Sequence, residues 1–412
     1  MNDIPLEESI EHITAIIDDF MNDNYLDLMN PKIKDIILKN IKPILCLIYN
    51  KEVSEDIDND INDIYDIDDL LNMSIDTYFG MNDISREIHS NKVKSLNKEY
   101  VNKRLIELRN IPLPAQNTPE WFDYRWNRLT ASSAWKALSS DAMVNSLIYS
   151  KCKPIDRNKN ESININSPTH HGHKFEPVST ILYEKRFDTT IEEFGCIPDQ
   201  TSPILAASPD GVNVKEDSPL YGRLLEIKNP VSRIPTGSTK LDYWVQMQFQ
   251  MHVIGLHVCD FLETCFKEYE NETEFNEDGS FTKTRDGKDK GIIVCLNDGK
   301  KPIYLYPPLG LSQKEFDEWY DKMMDDTSGL TWIKNTYWYL DIYSCVTVKY
   351  NKKWFDIAVP YFTNVWNIIE KERISGYAHR GPKKRVVKNI TNEPQNTIIP
   401  PKMTLMLRTS SL

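Results

Sequence analysis

The stretch that decides the fold is Ala207-Ser208-Pro209-Asp210-Gly211, followed at short range by Leu224-Leu225-Glu226-Ile227-Lys228-Asn229-Pro230. Pro-Asp-Gly is turn chemistry that closes the apolar run before it. The second segment reads as a strand. Residues two apart on a strand share a face, so Glu226 and Lys228 project together and Ile227 faces the opposite, apolar side. A short hairpin between the two segments brings Asp210 beside Glu226. Two carboxylates and one ammonium then converge. Two carboxylates and a main-chain carbonyl suit a hard cation such as Mg²⁺ or Mn²⁺. Such an ion polarises a phosphodiester and lowers the pKa of a nearby water. Lys228 is placed to orient that water or to offset charge developing on phosphorus oxygens. By itself Glu-x-Lys is a common surface pair. Ser-Pro-Asp-Gly at this distance, between two strands, makes that bland reading much less apt.

Outward from this point the period alternates between strand and helix. Strands are expected over Ile191–Ile197, Ile204–Ser208, Gly222–Asn229, His257–Phe266, Gly291–Leu296 and Pro302–Tyr306. Helices are expected from about His173 to Phe187 and from Leu241 to Val253. Thr118-Pro119-Glu120 is a helix start, with Thr as cap, Pro in the first turn and an acid beside it. A second start lies at Thr130 or Ser132, and 151–168 is polar and loop-like. Mixed in this order, the elements predict an α/β (α+β) core, a central mixed sheet flanked by helices. The predicted organisation is a helical acidic accessory domain over 1–115, this core over 116–310, a helical extension over 311–375 and a basic, flexible tail over 376–412. Two amphipathic helices, near Ser312–Asp325 and Tyr361–Ile374, bracket a Trp/Tyr-rich stretch at Trp332–Tyr350.

The 412 residues include 9 Trp, 14 Phe and 20 Tyr, enough for a sizeable core, and carry a formal charge of −12. A uniformly acidic body repels DNA, but here the charge is segregated. Between Glu55 and Leu70 there are eight acids and no base, whereas Arg380, Lys383, Lys384, Arg385, Lys388, Lys402 and Arg408 face only Glu393 in the tail. The acidic run reads as a solvated loop or helix face before it reads as a DNA-mimicking or partner-binding surface, and Lys383–Lys388 reads either as disordered-tail basicity or as a nuclear-localisation-like or DNA-contacting patch. Seven scattered cysteines without a Cys-x-x-Cys give reduced thiols, an intracellular setting and no iron–sulfur or zinc-finger ligand set. No leader-like start, membrane-spanning run or Gly-rich phosphate loop for ATP is present, so neither secretion nor a motor is expected.

Four blocks in order resemble a known family. They are Trp121-Phe122-Asp123-Tyr124-Arg125 through Leu129-Thr130-Ala131-Ser132, then Gly172-His173-Lys174-Phe175-Glu176-Pro177, then the Asp210 and Glu226/Lys228 segments, then Tyr243-Trp244-Val245-Gln246-Met247-Gln248. Together they resemble the PD-(D/E)xK nuclease superfamily and, within it, the phage lambda-type exonucleases or viral recombinase nucleases, over about residues 116–266. The resemblance implies a restriction-endonuclease-like core. It implies a Mg²⁺-dependent enzyme, with Mn²⁺ as substitute, that digests double-stranded DNA 5′→3′ from a free end in recombination, repair or replication. It implies that Asp210, Glu226, Glu176 and the Ile227 carbonyl hold metal, that Lys228 activates water, and that Gln246 sits beside the metals. Arg125 and Ser132 match positions that bind a terminal phosphate, and an arginine fork and a helix start suit one. Tyr183, seven residues after Glu176, and Gln248 are expected to line the DNA path. A single-strand annealing or recombination protein is an implied partner, and a large DNA virus an implied source. Arg128 stands where the family usually has a small residue.

Other features carry the blander reading. His170, His171 and His173 are expected to be structural or to touch phosphate. Met247, Phe249 and Met251 are expected in the core, His252 and His257 are expected to be structural and not catalytic, and Cys259 and Cys265 are expected to be buried free thiols. Trp121 is expected in the core before the DNA path. A structure-specific or broad DNA/RNA endonuclease is the alternative of the same class. A non-catalytic DNA-binding or assembly protein is the alternative of another class; it has no use for clustered carboxylates near phosphate.

Overall fold

The computed structural model describes residues 6–30, 32–48, 67–81, 96–155, 165, 167–299 and 301–382. The acidic run before Ile67 and the tail lysines and arginines after Pro382 lie outside them.

The chain opens with α1 (Leu6–Asn24), α2 (Ile33–Ile48) and α3 (Ile67–Met81). Ile13, Ile17, Ile37, Ile41 and Leu71 recur at helical spacing and are fully buried between these helices. Their cluster runs without a break into the rest of the molecule, through Tyr25 and Leu28 to Trp354 and Phe355. Next come α4 (Lys98–Arg109), α5 (Pro119–Trp126), the short strand β1 (Leu129–Thr130), α6 (Ala131–Ala134) and α7 (Asp141–Cys152). Thr118 caps α5 as its residue types predict, accepting from the Trp121 N–H at 3.2 Å. The long α8 (Pro168–Phe187) starts earlier than its apolar stripe suggests, because Ser167 caps it and Pro168 enters its first turn.

Two sheets follow. In the smaller, β1 pairs in parallel with β4 (Leu205–Ala207), which pairs with β3 (Ile197–Pro198). In the larger, the order is β2-β5-β6-β7-β10-β8-β9. Its members are β2 (Ile191–Glu192), β5 (Gly211–Asn213), β6 (Leu224–Lys228), β7 (Val258–Glu268), β8 (Lys290–Asn297), β9 (Pro302–Leu305) and β10 (Thr331–Lys349). The single strand expected over 191–197 is two strands in different sheets, broken where Gly195 takes φ +72°. The remaining helices are α9 (Leu241–Ile254), α10 (Glu272–Glu277), α11 (Gln313–Asp326) and α12 (Lys352–Ser375). The sheet is mixed and flanked by helices, as expected from the alternation of periods.

One expectation fails. Residues 311–375 are not a helical extension of a finished core. The aromatic stretch is β10, which lies between β7 and β8 in the middle of the large sheet. Alternate burial runs only through Thr336, Trp338 and Leu340, and most of its 19 residues are half-buried or exposed, so the strand lacks a continuous two-residue period. After it, α12 packs on α9 through Trp354 against Trp244 and Phe362 against Phe249, at centroid distances of 4.8 and 5.4 Å.

Candidate active site

The chemistry-bearing strand is β6, and its two faces are unlike. Leu225 and Ile227 point into an apolar cluster with Leu220, Leu262 and Tyr183 beneath α8. Glu226 and Lys228 point the other way, towards α9. Strand β5 runs antiparallel to β6 with Gly211 opposite Leu225, so Asp210, one residue before β5, stands across from Glu226. The hairpin is real, but its connection is longer than a tight turn: Asn213 still exchanges main-chain bonds with Gly222 and Arg223. The Asp210 carboxylate Oδ2 accepts from the Ile227 N–H at 2.6 Å, which ties the turn to the strand.

Glu226 is fully buried. The Lys228 ammonium donates to its Oε1, as does Gln246 Nε2 at 2.7 Å, and Gln250 Nε2 donates to Oε2 at 2.6 Å. Gln250 went unread in the sequence although the signal was there. It lies one helical turn after Gln246, on the same face of α9. Its amide is fully buried, also reaches the Ser208 carbonyl at 3.4 Å, and its own Oε1 has no hydrogen-bond partner among the described residues. The glutamate is thus gripped through both oxygens by donors from one helix.

The electrostatics mark the pair. Burial raises the proton affinity of Asp210 well above that of an ordinary aspartate, and the charge of Glu226 raises it further, against Lys228 and the Ile227 N–H. Burial acts against the charge on Lys228, yet Glu226 and Asp210 outweigh it and leave the lysine held more firmly protonated than usual. The Lys228 ammonium also lies 5.3 Å from the Tyr243 ring centroid. Two acids crowded together, Glu226 fully buried and Asp210 half-buried, are relieved by a cation, and the donors are all hard oxygen, so the residues fit Mg²⁺ or Mn²⁺. Among the described residues, no group of three or more His, Cys, Asp or Glu side chains converges as a ready cage. Glu176 acts on Asp210 at longer range while paired with His173, 3.6 Å away.

Arg125 and Ser132 reach the same end of the molecule by the small sheet. Thr130 lies beside Ala206, so the starts of α6 and of the Ser208–Asp210 turn emerge together. Arg125 is half-buried with its guanidinium 4.7 Å from the Trp121 ring centroid, and Ser132 is exposed. Trp121 is therefore a platform for Arg125 and not core. Arg128 turns back onto its own helix, 3.6 Å from the Tyr124 centroid and bonded to the Tyr124 carbonyl. Beneath this helix Lys151 donates to the carbonyls of Arg125 and Arg128 at 2.8 and 2.6 Å. Arg373 of α12 donates to those of Trp126 and Lys151. Burial and the neighbouring charges of Arg125 and Arg373 push Lys151 down to about 7.

Two expected DNA contacts are corrected. Tyr183 is fully buried, its hydroxyl donating to Asp260 at 2.7 Å, so it cannot line a DNA path. Its spacing from Glu176 is two helical turns, but α8 at that depth is covered by the sheet. Gln248 is also fully buried, donating to the Lys349 carbonyl and accepting from the Asn351 N–H, which stitches α9 to the end of β10. It points opposite to Gln246 and Gln250. Met247, Phe249 and Met251 are core, and His252 is held by Tyr350 and Asp199. The seven cysteines are free. No helix among the described residues is long and apolar enough to cross a membrane.

An acid closing one strand, Glu-x-Lys on its antiparallel neighbour, and a glutamine-bearing helix crossing to a parallel strand form the arrangement that the PD-(D/E)xK resemblance implies. Residues 120–257, about a third of the chain, match the family model described as the YqaJ-like viral recombinase domain. An uncharacterized protein of Acanthamoeba polyphaga mimivirus is 29% identical over 309 residues, covering 65% of this chain and 55% of that one. The chain thus spans about half the length of that relative. Among solved structures, an alkaline exonuclease from Laribacter hongkongensis aligns at 20% identity over 62% of this chain and 94% of that one, with a TM-score of 0.38. The same enzyme in complex with dAMP aligns at 19% identity and 0.37, with the same coverage.

Proposed function

We propose that this protein is a metal-dependent deoxyribonuclease, and that it degrades double-stranded DNA 5′→3′ from a free end in viral recombination or repair. The observation that carries the reading is the fully buried Glu226, held by Lys228, Gln246 and Gln250 beside the crowded acid Asp210. The match of residues 120–257 to a viral recombinase domain supports it.

Asp210, Glu226 and the Ile227 carbonyl are the residues that would hold Mg²⁺ or Mn²⁺, with Glu176 near enough to add charge. Such an ion supplies Lewis-acid polarisation of the scissile phosphate and makes a neighbouring water easier to deprotonate. Gln246 and Gln250 fix the Glu226 oxygens before substrate arrives, so no reorganisation is needed during the step. Lys228, itself held by Glu226, presents an ammonium that orients the attacking water and offsets charge building on the phosphate oxygens. Water oxygen bonds to phosphorus, one phosphorus–oxygen bond breaks, and the water's proton ends on the departing oxygen. Arg125, propped by Trp121 and by the Lys151 and Arg373 contacts beneath it, and the exposed Ser132 would take the terminal phosphate. That choice sets end and polarity, and it rests on the position of α5 and α6 beside the Asp210 turn.

The test is digestion of end-labelled linear and closed circular duplexes with Mg²⁺. Linear DNA should be shortened from its 5′-phosphorylated end and the circle spared. Lys228→Ala should lower the rate at least about 10²-fold, the scale of losing a preorganised electrostatic group. An unchanged rate in Lys228→Ala sinks the catalytic assignment. Equal rates on 5′-hydroxyl ends, with no loss in Arg125→Ala, sink the end-recognition part.

A further inference from the structure

A second feature lies next to the proposed active site and takes no part in it. A cavity of about 450 Å³ opens between the first turns of α8, the β8–β9 hairpin and the start of β10. That is within the usual range for small-ligand pockets, about 300–1,000 Å³. Its charged lining is Lys174, Lys301 and Lys334 against the single acid Glu268. Lys174 is spent on Glu268 at 2.5 Å. Lys301 and Lys334 are exposed, with no ion pair among the described residues. The walls carry apolar side chains that are half open to solvent, Ile165, Val231 and Ile333, with exposures of 52%, 52% and 44%. His171, in the lining, keeps a buried Nε2 that finds no hydrogen-bond partner among the described residues.

The position of the cavity decides what it is for. Val231 stands three residues after Lys228, and the intervening Asn229 is pinned to the Gly172 carbonyl, to Ser179 and to Thr264. The beginning of α8 therefore separates the two places. His173 and Glu176 share one face and Glu176 acts on Asp210, while His171 and Lys174 share another and line the cavity. A polyanion leaving the metal-binding residues along the end of β6 meets two uncommitted ammonium groups and apolar walls. Cations that track phosphates and apolar surfaces that receive base faces are what single-stranded nucleic acid requires.

We propose that this cavity is a subsite for one unpaired DNA strand, with Lys301 and Lys334 contacting its phosphates and Val231 and Ile333 packing on a base. The proposal builds on the nuclease reading, but binding can be measured without cleavage. A short fluorescein-labelled oligothymidylate is titrated with the full chain in EDTA, over a series of salt concentrations, by fluorescence anisotropy. The double variant Lys301→Ala/Lys334→Ala should bind about tenfold more weakly at low salt. Its plot of log affinity against log salt should be shallower by about 1.4, the loss of two single-strand phosphate contacts. Glu268→Gln should move the other way and tighten binding, because it removes the acid from the cavity. Both lysines are at the surface, and a melting temperature equal to the wild type's excludes misfolding as the cause.

Unchanged affinity and slope in the double variant, or weaker binding in Glu268→Gln, overturns the subsite. The two readings fail separately. If the wild type cuts DNA with Mg²⁺ while the double variant binds normally, the subsite is wrong and the nuclease stands. If the wild type never cuts DNA but the double variant still loses the oligonucleotide, the nuclease is wrong and the subsite stands.

Discussion

Two carboxylates lie fully buried on neighbouring strands of one sheet, Glu226 on β6 and Asp260 on β7, and they serve different ends. Asp260 faces α8. It accepts from Tyr183 at 2.7 Å and from Thr347 at 2.6 Å and pairs with the buried Arg223 at 3.4 Å. Each of its oxygens is answered, and its charge is cancelled by a cation with no exit to solvent. Glu226 faces α9, and its charge is answered by a lysine that is a quarter exposed, with a second acid beside it. Burial alone therefore says nothing about chemistry. What separates a structural acid from a reactive one is whether its surroundings leave negative charge uncompensated where a ligand can arrive.

The comparison breaks if the two acids respond alike to loss of charge. Asp260→Asn removes the buried negative charge that faces Arg223, and should cost about 3–5 kcal/mol of stability. The folded fraction should keep its cleavage rate. Glu226→Gln should do the reverse. DNA cleavage should fall by about 10³-fold or more, while the melting temperature moves by no more than about 2 °C, on the order of 1 kcal/mol for a chain of this length. Paired thermal melts and cleavage rates on both variants decide it, and a large loss of stability in Glu226→Gln refutes the distinction. A finer test is Gln250→Leu, which frees one oxygen of Glu226 and keeps the bulk. Loss of a group that orients a metal-binding side chain typically costs 10–100-fold, so activity should drop by about that factor. Raising Mg²⁺ should recover part of it; activity indifferent to the substitution would mean Gln250 is only core. The smallest expected effect is that of Tyr183→Phe. Removing a buried hydroxyl should cost about 1–2 kcal/mol and leave affinity for duplex DNA unchanged. Weakened DNA binding at equal stability would return Tyr183 to the DNA path.

The sequence was most legible where local rules and chemistry coincide. Alternation on Leu224–Lys228 placed Glu226 and Lys228 together and Ile227 beneath, and the turn at Pro209–Gly211 placed Asp210 opposite. Gln246 followed from its block. Tyr183 and Gln248 were misplaced for one reason. Helical spacing says which residues share a face, but not which part of that face the sheet will cover. Tyr183 is on the same stripe as Glu176 yet two turns deeper, and Gln248 falls between two glutamines that point the other way. Strand β10 was illegible because its pairing partners are distant in sequence, β7 on one side and β8 on the other, and its aromatic residues fit a half-buried strand and an irregular stretch equally well. The supports under Arg125 come from Lys151 and Arg373, 26 and 248 positions along the chain, a closeness that no local pattern records.

The place of β10 in the middle of the sheet has a consequence for the protein's birth. Strands β7 and β8 cannot be joined, nor α9 covered by α12, until residues beyond 349 have left the ribosome. Long-range pairing of this kind is slow and comes last. A nascent chain holds Asp210, Glu226 and Lys228 long before it holds the scaffold that fixes them. The enzyme proposed here would thus stay unarmed at least until the residues that complete β10 and α12 have been made.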